Sequence, residues 1–130
     1  MQPNKRRILC VDDNEDTCLM LTTLLERQNY EVASASAPEQ ALRMTRAARF
    51  DLYLLDTRFP EDTGLNLCRR IGELDPAAKV VFYSGAAYES DRAEGLSAGA
   101  QAYVAKPHID KLLEAIERLL SDGERLPRPV

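Results

Sequence analysis

The chain is poor in the residues that several functional classes require. It has three cysteines, one histidine, no basic excess and no apolar run near the length of a membrane span. Cys10, Cys18 and Cys68 show no metal-ligand spacing and no even-numbered disulfide framework. Cys10 lies in an apolar strand-like run and Cys68 on a helix, where each reads as a small buried hydrophobe, and a reduced, cytoplasmic setting is the simpler expectation. The single histidine, His108, has no acid partner arranged with it and reads as an exposed residue at a helix start, so a serine-hydrolase arrangement is not expected. A formal net charge of −4 argues against direct nucleic-acid binding, which normally needs a basic stripe. Residues 1–7 are basic but lack the apolar stretch of a signal peptide, and no membrane contact is expected. Internal repeats and low-complexity segments are also absent.

What the 130 residues do contain is a regular alternation: strand-length apolar runs are followed by amphipathic helix-length stretches, five times over. The runs are 8–11, 31–35, 52–55, 79–83 and 102–105. The second is small and alternating, which suits an edge strand. Asn14 is a fair N-cap for a helix over 14–28, with Cys18, Leu21, Leu24 and Leu25 at helical spacing. Ser36 and Glu39 suggest a capping box with Pro38 in the first turn of the next helix. Residues 57–63, with Pro60, must be loop before a helix near Gly64, whose stripe is Leu67, Ile71 and Leu74. The stretch 88–98 holds Gly95 and little large apolar material, which predicts the least stable helix. Ile109, Leu112, Leu113, Ile116, Leu119 and Leu120 form a clean apolar face on the last helix. Parallel strands need right-handed crossovers, so the pattern implies one α/β domain: a doubly wound, five-stranded parallel sheet with five helices.

Four of these runs end on polar residues: Asp12 and Asp13, Asp56, Ser84, and Lys106 with Pro107. In an open α/β sheet the carboxyl ends of the strands share one edge, where ligands bind. Crowded carboxylates repel one another and raise each other's pKa, a conflict that a bound cation removes. Oxygen-only ligands favour Mg2+ or Mn2+ over zinc. Asp56 is not a helix cap, because the next helix starts too late, which leaves it as a metal ligand, a nucleophile, or both. Lys106 adds a cation suited to a phosphoryl group, and Gly85 leaves room beside the Ser84 hydroxyl. Tyr103 reads either as core or as a half-buried ring able to change rotamer.

Val11-Asp12-Asp13-Asn14, Leu55-Asp56 with Pro60 and Gly64, Tyr83-Ser84-Gly85 and Ala105-Lys106-Pro107, in this order, resemble the receiver domain of two-component response regulators, in particular the chemotaxis-regulator type. The resemblance runs from about Arg7 to Leu120 and implies a flavodoxin-like sheet of order 2-1-3-4-5. It implies that Asp56 is the phosphoacceptor, taking a phosphoryl group from a sensor histidine kinase or a histidine phosphotransfer protein. Mg2+, with Mn2+ as a substitute, would be held by Asp13, Asp56 and the backbone carbonyl of Arg58, and through water by Asp12. Lys106 would pair with a phosphoryl oxygen, and the bond before Pro107 would be cis. Ser84 would swing toward the phosphoryl group and Tyr103 inward behind it. The output face would be the fourth helix, fifth strand and fifth helix, read by a downstream protein or a fused output domain. The expectation is thus a signalling switch rather than an enzyme acting on other substrates.

The same resemblance divides the chain into an N-terminal extension over 1–6, a receiver over 7–120, and a flexible tail or linker stub over 121–130, as part of a stand-alone or a longer protein. Phe59 stands where methionine is common, Arg58 puts a cationic side chain beside the site, Ala86 is small, and His108 replaces a frequent phenylalanine. Two alternatives fit the chain less well. An aspartate-nucleophile phosphohydrolase wants a second aspartate two residues after the nucleophile, where Arg58 stands. A flavodoxin-like binding module wants a Gly- or Ser/Thr-rich phosphate loop after Val11, where Asp12 and Asp13 stand.

Overall fold

Five strands alternate with five helices in a computed structural model that describes residues 5–121. The order is β1 (Arg7–Val11), α1 (Glu15–Arg27), β2 (Glu31–Ala35), α2 (Pro38–Ala47), β3 (Leu52–Leu55), α3 (Gly64–Leu74), β4 (Lys79–Ser84), α4 (Glu89–Ser97), β5 (Ala102–Ala105) and α5 (Ile109–Ser121). All strand pairs are parallel, in the order β2-β1-β3-β4-β5, so the alternating second run does lie at an edge. Residues 1–4 and 122–130, hence most of the expected N-terminal extension and tail, lie outside the described residues.

Side chains alternate across a strand, so each run feeds two separate cores. Leu9, Val11, Tyr53, Leu55, Phe82 and Tyr103 pack toward α2 and α3, together with Leu42, Leu67 and Ile71. Ile8, Cys10, Leu52, Leu54, Val81, Tyr83 and Val104 pack on the other face against Leu21 and Leu25 of α1 and Leu112, Ile116 and Leu120 of α5. Both faces are covered, which is why the central strands are apolar throughout rather than alternating. No helix among the described residues is long and apolar enough to cross a membrane.

The helix ends follow local chemistry, with some corrections. Asn14 caps α1, its side chain accepting from the Thr17 N–H at 2.9 Å, and Thr63 caps α3 by accepting from Asn66 N–H at 3.1 Å. At α2 the expected box between Ser36 and Glu39 does not form. Ala37 is the N-cap, Pro38 opens the helix, and the Gln40 carboxamide oxygen instead accepts from the Ser36 N–H at 3.0 Å. Glu39 points outward to Arg70 of α3 at 3.2 Å. β4 runs one residue beyond the expected end, placing Ser84 in the sheet opposite Ala105. Leu74, assigned to the apolar stripe of α3, is 44% exposed, because the helix ends there and Cys68 takes the buried position beside Leu67 and Ile71.

Gly95 also has a packing role that the sequence does not show. It is the one buried residue of α4, and a Cβ placed on it would lie 2.7 Å from Cδ2 of Tyr103. The glycine lets the helix backbone rest on the tyrosine ring, so α4 packs through a ring supplied by β5 rather than through apolar side chains of its own.

Two substitutions on α3 separate core from rim. Leu67→Ala should cost about 2–5 kcal/mol in urea denaturation, and Leu74→Ala less than about 1 kcal/mol. Equal losses would contradict the burial described for this helix.

Candidate functional site

The carboxyl ends of β1, β3 and β5 bring Asp12, Asp13, Asp56 and Lys106 together at one edge of the sheet. The register explains it: Val11 pairs with Leu55, so the residues following them emerge side by side. Asp56 N–H donates to the Val11 carbonyl at 3.1 Å and Asp12 N–H to the Ala35 carbonyl at 3.1 Å, which fixes both backbones. Lys106 N–H donates to the Ser84 carbonyl at 2.8 Å and aligns the end of β5 in the same way. The Lys106–Pro107 bond is cis, as expected.

The side chains follow. Lys106 Nζ lies 3.1 Å from Asp12 Oδ2 and 3.5 Å from Asp56 Oδ2, and 5.9 Å from the centre of the Tyr83 ring. Asp12 is 4% exposed, and its other oxygen accepts from the Asn14 N–H at 2.9 Å. Asp56 Oδ1 accepts from the Thr57 N–H at 2.7 Å. Asp13 is exposed to solvent, yet one oxygen from each of Asp12, Asp13 and Asp56 falls within 4.8 Å of the others. The donors are all carboxylate oxygens, a set that fits a hard divalent cation such as Mg2+.

Burial raises the Asp56 pKa above the ordinary carboxylate value; the Lys106 charge and the Thr57 N–H oppose this, while the Asp12 charge adds to it. For Lys106, burial is the largest single influence and acts downward. The hydrogen bond that Lys106 donates to Asp12 and the charges of Asp56 and Asp12 together outweigh it, so its pKa ends above the usual value. Lys106 is therefore a fixed cation at neutral pH.

A sequence model described as the response regulator receiver domain matches residues 8–117. The chain belongs to that family. Among curated relatives of this receiver, the transcriptional regulatory protein ResD of Bacillus subtilis is 34% identical over 106 residues, covering 82% of this chain and 44% of ResD. The transcriptional regulatory protein ZraR of Salmonella typhimurium is 36% identical over 125 residues, covering 92% of this chain and 28% of ZraR. The chain thus spans less than half the length of these two relatives. Among solved structures, the CheY-like receiver domain protein from Methanospirillum hungatei superposes with a TM-score of 0.88 at 32% identity, covering 94% of this chain and 98% of that one. TrrA of Thermotoga maritima, solved in complex with Mg2+ and BeF, gives 0.81 at 31% identity, covering 88% of this chain and 99% of TrrA.

In this receiver Ser84 and Arg58 line one cleft with Asp56, and Tyr103 reaches the same loop through Ala86. Ser84 is buried at the end of β4; its hydroxyl contacts Thr57 Oγ1 at 2.7 Å and accepts from the Ala86 N–H at 3.1 Å. The Tyr103 ring was expected to move inward behind Ser84, but at 4% exposure it already lies inward: it packs on Phe82 with centroids 5.6 Å apart and donates its hydroxyl to the Ala86 carbonyl. Arg58 is exposed on the loop after Asp56 and pairs with Thr63 in an isolated bridge. A cleft of about 370 Å³ opens beside Asp56 between Arg58, Ala86, Tyr88 and Asp91. Cys68 lies away from the cluster, and burial pushes its thiol up to about 11, consistent with a packing role.

Two residues of this region have no counterpart in the sequence reading. Thr57 offered one signal, a hydroxyl immediately after the end of an apolar strand. Arg92 offered none: its Nη1 donates to the Tyr103 carbonyl at 2.7 Å and its guanidinium sits 5.7 Å from the Tyr103 ring centre, a contact set by how α4 lies on β5.

Gly64 holds the loop against the site, since a Cβ there would lie 1.9 Å from the Asp56 carbonyl oxygen. Gly64→Ala should therefore destabilise the protein by about 1–3 kcal/mol or more and weaken divalent-cation binding; urea denaturation and Mg2+ titration check it. Asp56→Asn should raise the melting temperature in metal-free buffer. Because the folded-state pKa of Asp56 is raised, ionising it costs stability, fully above the folded pKa and not at all below the unfolded one. The gap between variant and parent should close as pH falls through that window, and a gap that is constant or widens would contradict the assignment.

Proposed function

We propose that Asp56 is the phosphoacceptor of a Mg2+-dependent switch in two-component signal transduction, taking its phosphoryl group from a sensor histidine kinase or a histidine phosphotransfer protein. The observation that carries this reading is the gathering of Asp12, Asp13 and Asp56 within reach of one ion, with Lys106 Nζ 3.5 Å from Asp56. In the transfer, a carboxylate oxygen of Asp56 forms a bond to phosphorus as the phosphorus–nitrogen bond to the donor imidazole breaks. The imidazole leaves with the electron pair and takes up a proton from solvent. Phosphoryl transfer depends on positioning and charge neutralisation more than on acid–base chemistry, and these residues supply both.

Asp13 and Asp56, with the Arg58 backbone carbonyl, would hold Mg2+ or Mn2+ directly, and Asp12 through water. The ion supplies neutralisation of the incoming phosphoryl charge. Asp12 and Asp56 now share the Lys106 ammonium; an acyl phosphate on Asp56 would offer it a phosphoryl oxygen instead. Ser84 would donate a hydrogen bond to the same group, and Tyr103, whose hydroxyl reaches the Ala86 carbonyl beside Ser84, would follow its loop. The readout would be a protein-contact surface over α4, β5 and α5, read by a downstream protein or a fused output domain in the cytoplasm. On this reading the chain is a signalling switch, and its only chemistry is gain and loss of its own phosphoryl group. The phosphohydrolase alternative gains nothing from the geometry, since Arg58 occupies the position of the second acid and is exposed.

Labelling with acetyl phosphate and Mg2+ should give an acid-labile, hydroxylamine-sensitive adduct that Asp56→Asn abolishes. Persistent labelling of the variant at the same stoichiometry would mean another acceptor. Beryllofluoride with Mg2+ should shift the amide signals of Ser84, Tyr103 and Lys106, and an unchanged spectrum would count against the switch.

A further inference from the structure

Thr57, the residue directly after Asp56, has no part in the function proposed above, yet it touches both the acceptor and Ser84. Its N–H donates to Asp56 Oδ1 at 2.7 Å, and its hydroxyl oxygen lies 2.7 Å from Ser84 Oγ. Ser84 is 1% exposed, so its hydroxyl must find partners within the protein. Thr57 is one, and the Ala86 N–H, at 3.1 Å, is the other. The Ala86 carbonyl accepts from the Tyr103 hydroxyl, and the Tyr103 carbonyl accepts from Arg92. A continuous line of polar contacts therefore leads from the residue beside the acceptor to α4.

A serine hydroxyl has one proton to donate, and phosphoryl oxygens only accept. Either hydroxyl can donate in the contact between Thr57 and Ser84, and in both cases Ser84 must leave that contact to turn its own proton toward a phosphoryl group on Asp56. Thr57 is not free to follow. Its N–H is held by Asp56, and its carbonyl accepts from the Gly64 N–H at 2.8 Å, at the close approach where even a methyl group would not fit. We propose that Thr57 is a latch: a positioning residue whose hydroxyl holds Ser84 in the arrangement seen here, turned to Thr57, and opposes its engagement with a phosphoryl group on Asp56. The proposal rests on the phosphoacceptor reading and adds to it the contact that must be broken when the switch is thrown.

Removing the Thr57 hydroxyl leaves Ser84 short of a buried partner in the resting state alone, so it should favour the engaged state. The test compares the whole chain with Thr57→Val, which keeps the shape and loses the hydroxyl, and Thr57→Ser, which keeps the hydroxyl. Beryllofluoride is titrated at saturating Mg2+ and followed by the amide signals of Ala86 and Lys106. Thr57→Val should half-saturate at roughly twofold to tenfold lower beryllofluoride than the parent, the range expected for one net hydrogen bond, and its melting temperature should rise more on ligand addition. Thr57→Ser should match the parent. A Thr57→Val chain that binds equally or more weakly overturns the latch, and so does a Thr57→Ser chain that behaves like Thr57→Val. If the parent itself does not respond, the phosphoacceptor reading falls and the latch with it; if the parent responds and Thr57→Val does not differ, only the latch falls. Should Thr57→Val not fold, the parent's own Thr57 methyl signal decides. It must shift on saturation as the contact to Ser84 is lost, and a Thr57 methyl that stays still while the Ser84 amide moves overturns the proposal.

Discussion

One ammonium group makes the arrangement of this edge tenable. Asp12 and Asp56 emerge from adjacent parallel strands with little solvent around them, and Asp13 adds a third carboxylate to the same rim. Without a counter-charge, like charges at such separations would drive one of them to protonate. Lys106 enters at the close of β5, and lies between buried Asp12 and half-buried Asp56 at 3.1 and 3.5 Å. The compensation is incomplete: Asp56 remains a weaker acid than usual, and the cluster still carries more negative than positive charge. That residual negative charge suits the edge to a divalent cation, and the proposed phosphoryl group would depend on that cation and on Lys106. A fully neutralised cluster would be a structural ion-pair network with little reason to bind either.

The sheet converts a linear sequence into this edge through two simple rules. Alternation of side chains across each strand divides the apolar residues between two cores, which obliges helices to cover both faces. Parallel pairing then sends every strand end in the same direction. Asp12 and Asp56 therefore need no special placement, since each is the next residue after a buried run, and Asp13 follows Asp12. What is special is how closely the connecting segments approach. Gly64 brings the loop after β3 against the Asp56 carbonyl, and Gly95 brings α4 onto the ring of Tyr103. The first approach fixes the backbone at Asp56 and the second couples β5 to a helix with no large buried side chain of its own.

Between these two glycines lies the line from Thr57 through Ser84, Ala86 and Tyr103 to Arg92. Its contacts are individually modest, and each is a polar group in a buried or half-buried place, so a change in one partner must be answered by the next. Such a line is well suited to carrying a change of charge at Asp56 outward. It ends at α4, which is joined to the rest of the molecule by an aromatic ring and a guanidinium rather than by an apolar stripe.

Periodicity and strand-end residues were enough to read the class of fold, the strand boundaries to within a residue or so, the edge position of β2, and the gathering of Asp12, Asp13, Asp56 and Lys106 at one edge. These features are local: a run of apolar residues and the polar residue that ends it are neighbours in the chain, and parallel pairing does the rest. The order of motifs carried the family, because each motif is weak alone and their succession is not. Tertiary structure alone decided the remainder. Whether Gln40 or Glu39 reaches back to Ser36, whether Leu74 is covered, why Gly95 must lack a side chain, and which hydroxyl meets Ser84 all depend on how separate elements abut. Thr57 and Ser84 are 27 residues apart, and Arg92 reaches β5 from a different layer. Propensity and pattern report what a segment prefers by itself, whereas a contact of a few ångströms between segments is set by the packing of everything around it.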